Sequence, residues 1–404
     1  MTKTAVLTGG IRTPFGKFGG FFKDFSTVEL SSIVMKELLK RSEGLSDKIS
    51  NVNWGVCTQA EAEEVVAPVI ARQALLKAGL PPETNSMTID KACCSGMSAV
   101  SQSAHTIMRG DAAISIAGGA EVMSRTPMMI RPLRWGNRLG DVNIRDPLNG
   151  IRYMDYNLVS IDAADVALEY GVSREEQDKW AYRSQQRWKQ ANEGGKFSDE
   201  VMEITKTDRK NNVYTCKEDE FPRPETTYEK LASLKTVLGS STVTPGNAPG
   251  LNDGAVGLML MDAETAKQNN QPILAEIIST ASVATNPRDI ATVPALAIQK
   301  ALEKADLTVD DLSLFEINEA FAAVPLVSTI LLGEKNKEKI EEIRSKTNVN
   351  GGSIAMGHPV GASGARILLT LIHELRRNGG GYGAASICGG LAQGEAIIIK
   401  VPSE

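Results

Sequence analysis

The sequence predicts an α/β protein made of two copies of one unit, with a separate segment inserted between them. Three observations predict it. Short apolar runs of strand type alternate with helical patterns toward both ends, the signature of strands covered by helices. The five residues Ser115-Ile116-Ala117-Gly118-Gly119 are echoed by Ser386-Ile387-Cys388-Gly389-Gly390. Between the two, from residue 121 to 250, the texture changes to Arg, Trp, Met and Pro-rich turns. A chain of 404 residues is also too long for one ordinary core, so two domains or one duplicated domain are expected.

The elements follow in order. Residues 5–7 read as a strand and 29–39 as an amphipathic helix. Residues 65–78 form a second helical stretch, closed by Gly79 and the Pro81-Pro82 break. An apolar helix starts near Cys93 and leads into the first copy of the repeated strand. In the insertion, 173–192 reads as a charged helix, and 207–223 is polar with little periodicity, as a lid would be. Residues 314–317 read as a strand, and a small-residue turn near Pro359 enters the helix before the second copy. The boundaries expected are 1–120 with 252–272 for the first half, 121–251 for the insertion and 273–404 for the second half.

Charge excludes several functions. The 44 basic and 49 acidic side chains give −5, and no like-charge run dominates, so neither nucleic acid nor a polyanionic membrane surface is an expected partner. Only a local basic group facing a small anion is left, and Arg209, Lys210, Arg223 and Lys230 are its candidates, against a merely solvated surface. No apolar stretch approaches bilayer length, the start carries no signal-peptide pattern, and residues 400–404 are no peroxisomal address. A cytoplasmic location is the expectation. Five cysteines are too few and odd in number for a disulfide framework. With three histidines and no C-x-x-C spacing, no metal site is expected.

Four places can carry chemistry. Cys93 lies in Asp90-Lys91-Ala92-Cys93-Cys94-Ser95-Gly96-Met97, at the start of a helix, where free N–H groups and the helix dipole favour a thiolate. Gly96 and Ser95 would keep its approach uncrowded. The alternative is a small buried hydrophobe. His358 lies in Gly357-His358-Pro359-Val360-Gly361-Ala362-Ser363-Gly364, a tight backbone path that presents the imidazole as a base for a thiol. A phosphate-cradling loop is the rival, but the Gly-Lys-Ser/Thr ending is missing. His105 and His373 sit in helical patterns and read as structural. Cys388 precedes Gly389-Gly390 at a strand end, where a second thiol would serve as acid or base and the Gly390 N–H as an oxyanion donor. Asn318 opens Asn318-Glu319-Ala320-Phe321-Ala322 and would hold a water or an oxyanion, or else cap the next helix.

Together these blocks resemble the thiolase family. Ile11-Arg12-Thr13-Pro14-Phe15-Gly16-Lys17-Phe18-Gly19-Gly20 is similar to the family's opening, and the Cys93, Asn318, His358 and Cys388 blocks follow in the family's order. Asn252-Asp253-Gly254-Ala255 takes its place after the lid. The resemblance covers almost the whole chain. It implies a duplicated five-layer αβαβα core with an inserted lid, and acyl transfer between coenzyme A thioesters by Claisen condensation or thiolysis. Cys93 is then the nucleophile, His358 takes its proton, and Cys388 acts on C2 of a second acetyl-CoA or on the incoming CoA thiol. One oxyanion site would use His358 and a water on Asn318; the other, the N–H groups of Cys93 and Gly390. Arg223 and Lys230 would meet the phosphates or adenine end of CoA, and Ala248 and Phe321 would border its pantetheine arm. No metal or prosthetic group is implied; acetyl-CoA or acyl-CoA and free CoA are the partners, and a homodimer or homotetramer is expected.

Departures lie around the acyl group. Leu158-Val159-Ser160 stands where many thiolases carry a Met-Gly pair, Pro249 replaces a serine, and Ile290-Ala291-Thr292-Val293 replaces a Gly-rich loop. Acetoacetyl-CoA is the first choice of substrate and a longer 3-oxoacyl-CoA the second. A non-catalytic acyl-CoA-binding relative is the alternative of another class. The second cysteine separates the chain from β-ketoacyl synthases and hydroxymethylglutaryl-CoA synthases.

Overall fold

The structure is a computed structural model, and it describes residues 3–59, 68–130, 132–151 and 153–403. The first half runs β1 (Ala5–Arg12), β2 (Gly16–Lys17), α1 (Thr27–Arg41), β3 (Asn51–Gly55), α2 (Ile70–Ala78), β4 (Asn85–Ile89), α3 (Ser95–Arg109) and β5 (Ile114–Val122). The insertion holds α4 (Val159–Glu169), α5 (Arg174–Glu193), a hairpin of β6 (Ile204–Thr207) and β7 (Val213–Cys216), and α6 (Tyr228–Ala232). The chain returns to the first half with β8 (Asn252–Asp262) and α7 (Ala263–Gln268). The second half is β9 (Ala275–Ala284), α8 (Val293–Ala305), β10 (Leu312–Ile317), α9 (Ala323–Leu332), α10 (Lys337–Lys346), α11 (Ser353–Met356), α12 (Val360–Arg377), β11 (Gly381–Gly389) and β12 (Gln393–Val401).

Strand order makes the duplication explicit. The first half reads β3-β5-β8-β1 and the second β10-β11-β12-β9, with β4 added outside β3. In both halves the first pair is parallel and the next two are antiparallel. The five-residue match itself does not mark equivalent places. Ser115 lies near the start of β5 and pairs with Asn51, the first residue of β3, whereas Ser386 lies in the second half of β11 and pairs with Ile317, the last residue of β10. The halves join where Val6 and Leu7 of β1 meet Glu276 and Ala275 of β9.

Three apolar cores separate the layers. Residues of α1 and α2 pack on one sheet half and residues of α8 and α9 on the other, while a third core joins α3 and α12 to both. The order αβαβα follows, with α3 and α12 as the inner layer. Burial on all sides explains the apolar run of α12, whose residues from Gly361 to Ile372 are all buried.

The inner helices meet at their N-terminal ends. A Cβ on Gly96 would stand 2.6 Å from the Gly361 carbonyl, and one on Gly364 2.6 Å from the Met97 nitrogen. Only glycine lets the two backbones approach this closely. Gly96 therefore serves helix packing, not the open approach to Cys93 that its position suggests in the sequence. The consequence is functional, because Cys93 stands two residues before α3 and His358 two residues before α12.

The insertion is clamped by Arg12, whose guanidinium is fully buried between Glu200 and Asp219 at 2.7 Å each. The segment expected to lack periodicity, 207–223, holds the last residue of β6 and all of β7, and the hairpin they form buries only Ile204 and Cys216. With one buried side chain per strand, there is little alternation to read. Helix α2 begins at Ile70, after left-handed Val69; the earlier part of the helix expected over 65–78 falls at 65–67, outside the described residues. Among the described residues no helix is long and apolar enough to cross a membrane.

Candidate active site

Cys93 is held on a tight turn between β4 and α3. The Asp90 carboxylate accepts the Ala92 N–H at 3.0 Å, and the Ser95 hydroxyl accepts the Lys91 N–H at 2.8 Å while donating to the Ala92 carbonyl. Ala92 pays for the reversal with a left-handed backbone, φ 48°. The half-buried thiol is not a resting thiolate. Burial pushes it up to about 12; its own N–H acts in the opposite direction, and Glu121 and Asp90 add to the rise. This corrects the expectation of a dipole-stabilised thiolate: lost hydration outweighs the helix terminus.

His358 supplies what that thiol lacks. Its Nε2 lies 3.2 Å from Cys93 Sγ, and its Nδ1 lies 2.6 Å from Ser363 Oγ. Ser363 spends its own proton on the Pro359 carbonyl at 2.8 Å, so its oxygen is an acceptor toward the ring. The hydrogen-bond network thereby assigns the proton to Nδ1 and leaves the Nε2 lone pair facing the thiol. Burial and Arg366 lower the imidazole to about 3, keeping it neutral. Asn252 fixes the backbone, accepting the His358 N–H at 2.9 Å and donating to the Gly16 carbonyl.

Cys388 is buried at the end of β11. Burial first, then the neighbouring Cys93 sulfur, raises its thiol far above the ordinary range. Gly390 follows it, and Tyr153 from the insertion lies against its α-carbon so closely that a Cβ there would fall on the phenol. Asn318 is not a helix cap: α9 starts at Ala323 with Ala322 as its N-cap. Its Oδ1 accepts the Ser353 hydroxyl at 2.6 Å, Arg366 donates to Ser353 at 3.1 Å, and Glu316 pairs with Arg366 at 3.2 Å. The Asn318 Nδ2 is buried with no hydrogen-bond partner, a donor still to be satisfied.

The basic candidates separate. Arg223 and Lys230 line a cleft of about 480 Å³ together with Phe221, Leu231, Leu234 and Ile354, a size suited to a small ligand. Lys210 lies in the exposed β6–β7 turn with Arg209, away from that lining. Ala248 and Phe321 are outside the lining too, but their segments touch where the Ala322 N–H donates to the Asn247 carbonyl at 2.9 Å. Among the described residues no group of three or more His, Cys, Asp or Glu could hold a metal ion. His105 bonds Thr280 at 2.8 Å and His373 is held within α12, both away from the thiols.

A neutral thiol–imidazole pair beside a second thiol suits covalent transfer of a group to sulfur. Sequence reasoning quoted Ser363 and Asn252 within their motifs but gave them no role, and it gave none to Ser353 or Tyr153. Ser363 had a signal, since it stands four residues after Pro359 at the start of a helix and so faces back onto that first turn. Tyr153 had none.

Two family models cover the chain: one described as "Thiolase, N-terminal domain" matches residues 5–264, and one described as "Thiolase, C-terminal domain" matches 271–401. An acetyl-CoA acetyltransferase of Syntrophomonas wolfei subsp. wolfei is 39% identical, over 99% of this chain and 100% of that protein. The mitochondrial 3-ketoacyl-CoA thiolase of Homo sapiens is 38% identical over 96% of each chain. The crystal structure of human mitochondrial 3-ketoacyl-CoA thiolase in complex with CoA superimposes with a TM-score of 0.90 at 36% identity, covering 99% of this chain and 98% of that one.

Proposed function

We propose residue roles for this chain from one premise: the chain belongs to the thiolase family and is an acyltransferase that catalyses Claisen condensation and thiolysis of coenzyme A thioesters. Cys93 is the nucleophile. As its sulfur attacks the thioester carbonyl, its proton passes to His358 Nε2, and Cys388 gives its proton to the departing CoA sulfur. The Cys388 thiolate then removes a proton from C2 of acetyl-CoA. The carbanion attacks the acyl-Cys93 carbonyl, and the Cys93 sulfur leaves with the proton held on His358. The cycle closes with both thiols protonated, and thiolysis runs it in reverse.

The observation that carries this reading is the 3.2 Å contact between His358 Nε2 and Cys93 Sγ, beside the Cys388 thiol. A thiol near 12 and an imidazole near 3 exchange no proton at rest, so transfer accompanies attack, as general base catalysis requires. The strongly raised Cys388 thiol suits a group that must be acid first and strong base second. For the oxyanions we assign a water held by the unpartnered Asn318 Nδ2 together with His358, and the N–H groups of Cys93 and Gly390.

CoA is placed with its phosphates toward Arg223 and Lys230 in the 480 Å³ cleft and its pantetheine arm past Ala248 and Phe321. No metal or prosthetic group is assigned a role. Acetoacetyl-CoA is the proposed substrate. The units proposed are 1–120 with 252–272, the lid 121–251, and 273–404. A homodimer or homotetramer is proposed, supported by the outer edge of β4, whose only strand partner among the described residues is β3. Five free cysteines suit a reducing compartment, and the cytoplasm is the one proposed. The test is incubation with acetyl-CoA and peptide mapping: one acetyl group on Cys93 is expected, and a label on Cys94 alone, or none, refutes the assignment.

A further inference from the structure

The insertion sends one aromatic side chain into the centre of the site. Tyr153 stands between β5 and α4, far in sequence from either half's chemistry, yet its ring and hydroxyl cover the α-carbon of Gly390. The ionisable groups that act on its phenol are Cys93, Cys57, Asp90 and Cys388. Both thiols of the proposed reaction are therefore its neighbours, and the space over Gly390 is occupied by the lid.

Local bonds hold the tyrosine there. The Tyr156 N–H donates to the Tyr153 carbonyl at 2.9 Å, and the Val159 N–H closes the loop onto the Ile151 carbonyl at 3.3 Å. Left-handed Gly150 packs under Leu158 and Leu238, and the buried Ser160 hydroxyl donates to the Leu238 carbonyl at 3.4 Å. Residues 153–159 are thus pinned against Ile151 and Leu238, with Tyr153 pointing inward and its neighbour Met154 88% exposed. An acyl chain growing from Cys93 beside Cys388 and Gly390 would have to displace the ring.

We propose that Tyr153 is a specificity-determining residue whose phenol closes the acyl pocket over Gly390 and limits the group carried on Cys93 to a short one. The inference rests on Cys93 as the acyl carrier. It selects the shorter substrate class. Discrimination by shape in an apolar pocket is worth about tenfold or more per methylene that does not fit.

The test measures kcat/KM for thiolysis of acetoacetyl-CoA and 3-oxooctanoyl-CoA and takes their ratio within each enzyme, so that a general loss cancels. The unmodified protein should favour the four-carbon substrate by at least about tenfold. Tyr153→Ala should lower that preference by at least about tenfold, and Tyr153→Phe should keep it within about twofold, because the ring does the closing. An unmodified enzyme without the preference, an alanine variant that keeps it, or a phenylalanine variant that loses it overturns the proposal. Mass spectrometry of the Cys93 peptide after acetyl-CoA or octanoyl-CoA separates the two levels of argument. Equal loading by both thioesters sinks the role of Tyr153 alone, whereas no loading by either sinks the acyl-Cys93 reading on which it rests.

Discussion

The Nε2 of His358 stands 3.2 Å from the Sγ of Cys93, a contact that spans 265 positions of sequence. It is made because two glycine-lined helix starts touch, and it is aimed because Ser363 holds the other side of the ring at 2.6 Å.

Ser363→Ala should therefore slow acylation of Cys93 without removing either partner. With nothing to hold the Nδ1–H tautomer, the loss should be about tenfold or more, inside the roughly 10²–10⁴ that a general base contributes. Ser363→Thr, which retains the hydroxyl, should recover part of it. Rapid-quench measurement of acyl-enzyme formation reads both, and an unaltered rate in the alanine variant contradicts the tautomer assignment.

The pH profile of acylation should be nearly flat between pH 6 and 9. His358, lowered to about 3, is already neutral, and Cys93, raised to about 12, is still protonated, so the reactive pair does not change over this range. An acid limb with its midpoint near 6.5 would show a normally titrating imidazole. Stability has its own sign: as pH falls from about 6.5 toward 3, the unfolded chain takes up a proton that folded His358 refuses. That contribution lowers stability toward acid.

Cys388→Ala should still accept an acetyl group on Cys93, though more slowly, and should fail to make or break the carbon–carbon bond. Loss of the acid–base group is worth about 10²–10⁴ in turnover. Acetyl labelling together with an acetoacetyl-CoA assay distinguishes the steps, and ordinary turnover in this variant excludes the role given to Cys388.

Asn318→Ala removes a proposed oxyanion contact and should cost about 10²–10³ in turnover. Ser353→Ala should cost less and chiefly in kcat, since Ser353 only orients the amide between Arg366 and Asn318. A Ser353→Ala enzyme altered in KM alone would remove it from this chain of bonds.

Arg12→Ala should destabilise the fold by about 3–5 kcal/mol, because Glu200 and Asp219 would be left buried without their cation. Urea unfolding measures it. A change under about 1 kcal/mol would mean that water reaches both carboxylates.

The four chemical blocks were readable because glycines and small residues mark each turn around them, and because they follow one another in a recognisable order. The five-residue match pointed to a duplication, but its two copies sit at different points of β5 and β11, and it is the shared strand order of the halves that shows the repeat. Burial was not readable, and it reversed the expected ionisation of Cys93. The β6–β7 hairpin was missed because only one side chain of each strand is covered.

By itself, then, the sequence determined the α/β class and singled out a thiol, an imidazole, an amide and a second thiol as the candidate chemical groups. Those follow from residue type, local turn geometry and the order of blocks that resembles one family. Only the tertiary structure decided that α3 and α12 meet end to end, that Ser363 and Ser353 orient His358 and Asn318, and that Tyr153 covers Gly390. Each is a contact between segments distant in sequence or an effect of lost hydration, and both exist only once the layers have closed around the inner helices.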